Sequence, residues 1–175
     1  MPRYFFKCLF FLFLLVGCTV KPILGPNYKI EELNSKLQAL HKDIPYHKST
    51  LLAQDIFRQT QILTKKFKLT SPPLWHNFLV NIGLREKGLC YHWSDALYVH
   101  LGQKNYEHFS FYLIGANIGK YFSEHNALLV VSKGAKSIKD GIVIDPWRES
   151  GKLYFTTIEN DKSYVWKRRK EREPF

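Results

Sequence analysis

Cysteine is scarce in this chain, which has three among its 175 residues, at positions 8, 18 and 90. No Cys-x-x-Cys, His-Glu-x-x-His or His-x-Glu pattern is present, so the common zinc motifs are missing. Cys90 and His92 with either His108 or His125 could supply metal ligands, but their spacing follows none of these motifs. Glycine-rich phosphate loops, serine-nucleophile elbows and internal repeats are missing too. We therefore expect no metal, no cofactor and no repeat architecture.

The N-terminus has an unbroken apolar run from Cys8 to Val16, preceded by Arg3 and Lys7. A membrane-spanning helix needs about 20 apolar residues, so this shorter run predicts a secretory signal peptide. The run ends in Leu-Val-Gly-Cys at Cys18, which resembles the bacterial lipobox. That resemblance implies cleavage before Cys18, acylation of its sulfur, and a lipid anchor in the inner or outer membrane with the protein facing the periplasm or the exterior.

The rest of the chain predicts one domain of ordinary size. We expect a signal peptide over 1–17, a tether over 18–27, a single domain over 28–166 and a basic, solvated C-terminal tail over 167–175. The formal net charge is +11. An exported protein rarely meets nucleic acid, so this charge favours anionic lipid or cell-wall polymer as its surroundings.

Hydrophobic periodicity predicts helices first and strands afterwards, which is an α+β arrangement. The first two helices are indicated by Ile30, Leu33, Leu37 and Leu40, then by Leu52, Ile56, Leu63 and Phe67 after a possible cap at Ser49. A third helix is expected over 72–82, with Trp75 and Leu79 buried, and a fourth near Cys90, ending at Gly102. Later apolar segments predict an antiparallel meander, built from alternation near Phe109 and from 127–131, 141–144 and 152–156.

Once the signal peptide is removed and Cys18 is acylated, Cys90 is the one thiol left. It lies where the fourth helix is expected to begin, and a helix N-terminus beside an imidazolium favours the thiolate form of cysteine. His125 and Asp145 fall on neighbouring predicted strands, so they could supply a base and the carboxylate that orients it. Asn126 could orient the imidazole instead, but adjacent strand residues point to opposite faces, which favours Asp145. The backbone N–H of Cys90 is the obvious oxyanion donor, and no second donor is evident.

Three segments carry a resemblance to a known superfamily: Gly88-Leu89-Cys90-Tyr91-His92-Trp93, the stretch from His125 to Val130, and Gly141-Ile142-Val143-Ile144-Asp145-Pro146. Their order resembles the transglutaminase-like branch of the papain-like thiol enzymes. The resemblance implies a papain-like core, with N-terminal helices followed by an antiparallel sheet. It also implies that Cys90 is the nucleophile, His125 the general base and acid, and Asp145 the residue that orients the imidazole. Leu84 stands where papain has a glutamine, and Ala127 where the family often has an aromatic residue.

These expectations lead to one functional hypothesis and two alternatives. The hypothesis is a membrane-anchored cysteine hydrolase or acyltransferase that acts on amide bonds, with peptidoglycan stem peptides or envelope proteins as reachable substrates. The first alternative is a non-catalytic envelope lipoprotein that uses the same fold for binding or assembly, with Trp147 and Arg148 at its rim. The second is a structural lipoprotein in which Cys90 is sealed in the core.

Overall fold

The structure is a computed structural model that describes residues 27–173. The predicted signal peptide, the predicted acylation site at Cys18 and all of the predicted tether except Asn27 lie outside the described residues. Asn27 itself is the first residue of a helix rather than the end of the tether. The described part of the chain is an α+β domain, as the periodicity predicts.

Within residues 27–173, four α-helices precede the strands: α1 (Asn27–Gln38), α2 (Tyr46–Lys66), α3 (Pro73–Asn81) and α4 (Cys90–Gly102). Helix α2 begins before Ser49, whose hydroxyl is buried and donates a 2.6 Å hydrogen bond to Asn34 of α1 instead of capping the helix. Between residues 27 and 173, no helix is long and apolar enough to cross a membrane.

Helix α3 is where the predicted buried face is partly wrong. Leu79 is buried as expected, but Trp75 is 50% exposed, whereas His76 is fully buried. Hydrogen bonding explains the burial of His76, because both of its ring nitrogens have partners. Nε2 lies 2.9 Å from the carbonyl oxygen of Lys87, and Nδ1 lies 3.2 Å from the backbone nitrogen of Thr70. A fully hydrogen-bonded histidine can occupy an interior position that hydrophobicity alone would assign to tryptophan.

The strands are β1 (Phe109–Ala116), β2 (His125–Ser132), β3 (Ile142–Glu149), β4 (Lys152–Thr157) and β5 (Lys167–Arg168). They form one antiparallel sheet in the order β4-β3-β2-β1-β5. The meander from β1 to β4 is therefore confirmed. Strand β3 extends further than predicted, because it continues through Asp145 and Pro146 to Glu149.

The expectation of a solvated basic tail is corrected for residues 167–173. Strand β5 pairs with β1, and the guanidinium of Arg168 lies 3.6 Å from the centre of the Tyr112 ring. Arg168 also donates a 2.6 Å hydrogen bond to Glu173. Glu171 and Glu173 follow the run of basic residues, so Arg168 and Arg169 find local partners and the chain can return to the sheet edge.

The two faces of the sheet have different coverings. Leu128, Val130, Ile142 and Ile144 face the main core, which the helices cover, and α4 contacts β1, β2 and β3. Ala127, Leu129, Val131 and Val143 face a smaller cluster that includes Trp166. The sheet is thus buried on both sides near its centre, and α4 is the helix that lies across the central strands.

Helix α4 is fastened to α2 by one buried carboxylate, that of Asp55. Lys104 donates to it at 2.7 Å, the Tyr106 hydroxyl donates at 2.7 Å, and His100 Nε2 lies 3.1 Å away. Burial opposes ionisation of Asp55, but hydrogen bonds from Lys104, Tyr106 and His100 outweigh it and lower the pKa of this carboxyl. This cluster at the C-terminal end of α4 helps to fix the direction in which its N-terminus, at Cys90, points.

Candidate active site

The turn that precedes Cys90 depends on a glycine. Gly88 has a φ of +131°, and a Cβ atom there would lie 2.1 Å from His76 Nε2. The Nδ1 atom of His92 accepts hydrogen bonds from the backbone N–H groups of Gly88, at 3.1 Å, and Leu89, at 3.2 Å. Burial, helped by the charge of Lys87, lowers the pKa of His92, which agrees with its role as an acceptor. These contacts set where the helix begins.

Cys90 is the first residue of α4, as the sequence predicts, and its side chain is half-buried. Because an α-helix leaves its first N–H groups without partners inside the helix, the backbone at Cys90 presents donors and a partial positive charge beside the sulfur. The exposure of Cys90 speaks against the alternative in which this thiol is sealed in the core. Trp93, by contrast, lies in the core as expected, with 1% exposure.

His125 and Asp145 lie on the neighbouring strands β2 and β3, as predicted. The register pairs Leu128 with Ile144, and continuing it places Ala127 opposite Asp145, on the face of the sheet that His125 shares. The side chains meet: His125 Nε2 donates to Asp145 Oδ2 at 2.6 Å. Both residues are almost fully buried, with exposures of 2% and 1%. The other ring nitrogen, Nδ1, is left for the thiol of Cys90.

Three aromatic rings surround the imidazole of His125. The ring centres of Trp147, Tyr164 and Trp166 lie 4.8, 4.6 and 5.6 Å from it. This packing holds the imidazole in one orientation and keeps water away from its bond to Asp145. These aromatic contacts come from β3 and from the segment after β4 rather than from the neighbouring positions of β2.

Asp145 has a second cationic partner. Arg148 Nε donates to Asp145 Oδ2 at 3.1 Å, and its terminal nitrogens donate to the two oxygens of Asp161 at 3.1 and 2.9 Å. The interpretation of Trp147 and Arg148 as rim residues is therefore wrong. Trp147 packs on His125 and donates a 3.0 Å hydrogen bond to Asn77 of α3, while Arg148 supports the carboxylate from behind.

The electrostatics of His125 follow from these contacts. Burial acts to lower the pKa of His125, but hydrogen bonds to Asp145 and Cys90, together with the negative charges of both groups, raise it to about 9. The same contacts that position the ring therefore favour its protonated form. A buried imidazolium between a carboxylate and a sulfur is the arrangement that stabilises a thiolate.

Asn126 approaches the sulfur from another side. Its Nδ2 lies 3.9 Å from Cys90 Sγ, within reach for a weak N–H···S hydrogen bond. Asn126 is thus not the residue that orients the imidazole, because its amide faces the thiol and Asp145 holds the ring. The sequence places an amide next to His125, but the direction of that amide depends on Arg172, far along the chain.

No local sequence motif predicts several other residues that support the site. The Arg148–Asp161 pair, the rings of Tyr164 and Trp166, and the contact of Arg172 with Asn126 join residues that no local pattern connects. One signal was available: the spacing of Tyr164 and Trp166 places both on one side of an extended segment. Residues 27–173 contain no group of three or more His, Cys, Asp or Glu side chains arranged to hold a metal ion.

Comparison of the chain with profiles of known protein families, with characterised proteins and with solved structures finds no match.

The raised pKa of His125 is testable by NMR titration of the imidazole. We predict a value of about 9 for the unmodified protein. Replacing Asp145 with Asn should lower it, because burial then acts against a weaker opposing charge. Asp43→Asn is the matched control, since this carboxylate is exposed and pairs with His41 instead, and it should leave the titration of His125 unchanged. An unchanged pKa in Asp145→Asn would contradict the electrostatic account.

Proposed function

We propose that this protein is a thiol hydrolase or acyltransferase that acts on amide bonds through Cys90, His125 and Asp145. The observation that carries the proposal is the buried 2.6 Å contact between His125 and Asp145, with Cys90 at a helix N-terminus acting on the same imidazole to raise its pKa. A structural cysteine needs neither an oriented histidine nor a buried carboxylate behind it. A nucleophile needs both.

The first half of the reaction is acylation of the thiol. The sulfur of the Cys90 thiolate attacks the carbonyl carbon, and the π-electron pair of the carbonyl moves onto oxygen. The resulting oxyanion accepts a hydrogen bond from the backbone N–H of Cys90. When the intermediate collapses, the carbon–nitrogen bond breaks and the departing amine takes the proton from His125, which leaves a thioester on Cys90.

The second half of the reaction breaks down the thioester and regenerates the free enzyme. Neutral His125 removes a proton from water or from an amine acceptor, which attacks the thioester, and the sulfur departs as thiolate while the imidazolium is regenerated. Because acylation requires the protonated imidazole, its rate should decline as the pH rises through the His125 pKa of about 9. Asp145 stays ionised throughout and holds Nε2, so that Nδ1 remains aimed at the sulfur.

The likeness to papain-like enzymes of the transglutaminase-like branch belongs to this proposal. It is supported by the order of Cys at a helix start, His at the start of a strand and Asp on the next strand, together with the contact between the last two. We assign the fold to a papain-like core on that basis.

A non-catalytic role is the alternative, and one observation favours it. Helix α3 exposes a group of large apolar side chains beside the site, and such patches are typical of partner or ligand surfaces. They are Leu74, Trp75, Phe78 and Ile82, with exposures of 71%, 50%, 47% and 50%. Under this alternative the fold serves as a binding or assembly module for envelope partners, and Cys90 is dispensable.

Location is part of the same proposal. The lipobox-like sequence at Cys18 favours a bacterial envelope lipoprotein, held by its acyl chains in the inner or outer membrane. Peptidoglycan stem peptides and envelope proteins are the amide substrates within reach of such a tether.

Acylation of Cys90 by p-nitrophenyl acetate tests the enzymatic proposal. We expect the full chain in detergent to acquire a thioester at Cys90 and to release p-nitrophenolate. His125→Ala should slow this step by roughly 100-fold or more, because the thiol then lacks the imidazole that takes its proton, whereas p-nitrophenolate leaves without one. His41→Ala, which removes an exposed histidine, is the matched control. Cys90→Ala corrects for the thiols at positions 8 and 18.

Two results would count against the enzyme. One is acylation of Cys90 that proceeds at the rate of the unfolded chain and is unchanged by His125→Ala. The other is full rescue of a deletion phenotype by Cys90→Ser, which would favour the binding module.

Metabolic labelling with palmitate tests the proposed anchor. We expect the label to enter the wild-type protein, and Cys18→Ala to abolish it. Cys8→Ala is the matched control, because this cysteine lies inside the predicted signal peptide and should not affect labelling. Labelling that persists in Cys18→Ala would contradict the assignment.

A further inference from the structure

We propose that Asn126 is the second oxyanion donor, acting with the backbone N–H of Cys90. This inference rests on the proposed function and deepens it. Its starting point is the position of Asn126 Nδ2, which lies 3.9 Å from Cys90 Sγ. A carbonyl carbon bonded to that sulfur would carry its oxygen within reach of the same amide. The chain has Leu84 where papain has a glutamine, so the donor comes from a different element.

The direction of the Asn126 amide is fixed by its partners. Arg172 donates to Asn126 Oδ1 at 2.7 Å, and Arg169 donates to the same oxygen at 3.4 Å. A guanidinium offers hydrogen-bond donors and no acceptor, so the carbonyl oxygen of the amide must face the arginines. The NH₂ group is then turned toward Cys90. A second, longer contact from Nδ2 to Glu124 Oε1, at 3.5 Å, uses one amide hydrogen and leaves the other for the site.

The arginines are themselves held in place. Nη2 of Arg172 donates to both oxygens of Asp95 at 2.7 Å. Nη1 of Arg169 donates to Glu124 at 2.7 Å. Asp95 belongs to α4, the helix that Cys90 begins. The chain of contacts from α4 through Asp95 and Arg172 to Asn126 therefore ties the amide on β2 to the helix that carries the sulfur. Such pre-positioned donors stabilise a developing charge without rearrangement during the reaction.

The geometry of β2 separates the acid–base group from the proposed oxyanion donor. A thiol enzyme needs its acid–base group and its oxyanion donor on different sides of the reacting carbonyl. His125 and Asn126 are consecutive residues of β2, so their side chains leave opposite faces of the sheet. The sulfur of Cys90 lies 3.9 Å from the Asn126 amide and also raises the pKa of His125, so both groups act on it from the same end of the strand.

In the reaction, Asn126 acts only on the charge that forms during acylation. The sulfur–carbon bond forms, the carbonyl π pair becomes a lone pair on oxygen, and Nδ2–H and the Cys90 N–H donate to that oxygen. When the pair returns, the bond to the leaving group breaks and the leaving group departs with the proton of His125. Asn126 gains and loses no proton and no electron.

Two probes that differ in oxyanion formation test this role in the full chain. p-Nitrophenyl acetate acylates the thiol through an oxyanion, whereas iodoacetamide alkylates it by displacement of iodide, with no charge on a carbonyl oxygen. We expect Asn126→Ala to slow acylation by roughly 100-fold to 1,000-fold, the effect of losing one oxyanion donor. The rate of alkylation should change far less, since only the weak N–H···S contact is lost, and a near-normal rate also shows that the site is folded. Asn105→Ala, at an exposed position after α4, is the matched control.

Arg172→Gln separates positioning from donation. This variant keeps the Asn126 amide but loses its strongest orienting contact, so acylation should slow by about tenfold, as for one charge-assisted hydrogen bond, with alkylation unchanged. The inference is overturned if Asn126→Ala leaves acylation intact or slows both reactions equally, while the wild type shows acylation that depends on His125. Absence of His125-dependent acylation in the wild type contradicts the proposed function itself, and the inference with it.

Discussion

The hydrogen bond from His125 to Asp145 is the contact around which the rest of the site is organised. Both groups are almost fully buried, and a buried carboxylate is costly unless it is paired and hydrogen-bonded. The protein meets this requirement with Arg148, which donates to Asp145 and is neutralised in turn by Asp161. The aromatic rings around His125 exclude water from the pair. Because these supports leave the imidazole with one free side, its remaining nitrogen has Cys90 as its natural partner.

The site draws on three separate parts of the chain. The N-terminus of α4 brings the sulfur, the facing ends of β2 and β3 bring the imidazole and the carboxylate, and the segment from β5 onward returns to hold Asn126. The last part gives the basic C-terminal residues a definite place, since Arg169 and Arg172 pair with Glu124 and Asp95. These two positive charges therefore form ion pairs within the domain and are not simply a solvated basic surface.

Local patterns were enough to predict the elements that carry Cys90, His125 and Asp145. Gly88 before Cys90 marked a helix start, and apolar strands with His125 and Asp145 at their ends marked neighbours in a meander. Long-range polar partners could not be predicted in this way. Trp75 was expected inside, but the hydrogen bonds of His76 decided which side of α3 is buried. Likewise, the composition of the segment around Arg168 predicts a charged tail, because its pairing with β1 and with Glu173 leaves no local signal.

The central claim is that His125 and Asp145 act on Cys90 as one unit, and a double-mutant cycle on the alkylation of Cys90 by iodoacetamide measures this directly. The compared rates are those of the wild type, His125→Ala, Asp145→Asn and the double variant, with Cys90→Ala correcting for other thiols. We predict that each single change slows alkylation and that the double variant is no slower than His125→Ala, because Asp145 acts only through the imidazole. Single variants that react as fast as the wild type, or two effects that multiply, would contradict the account.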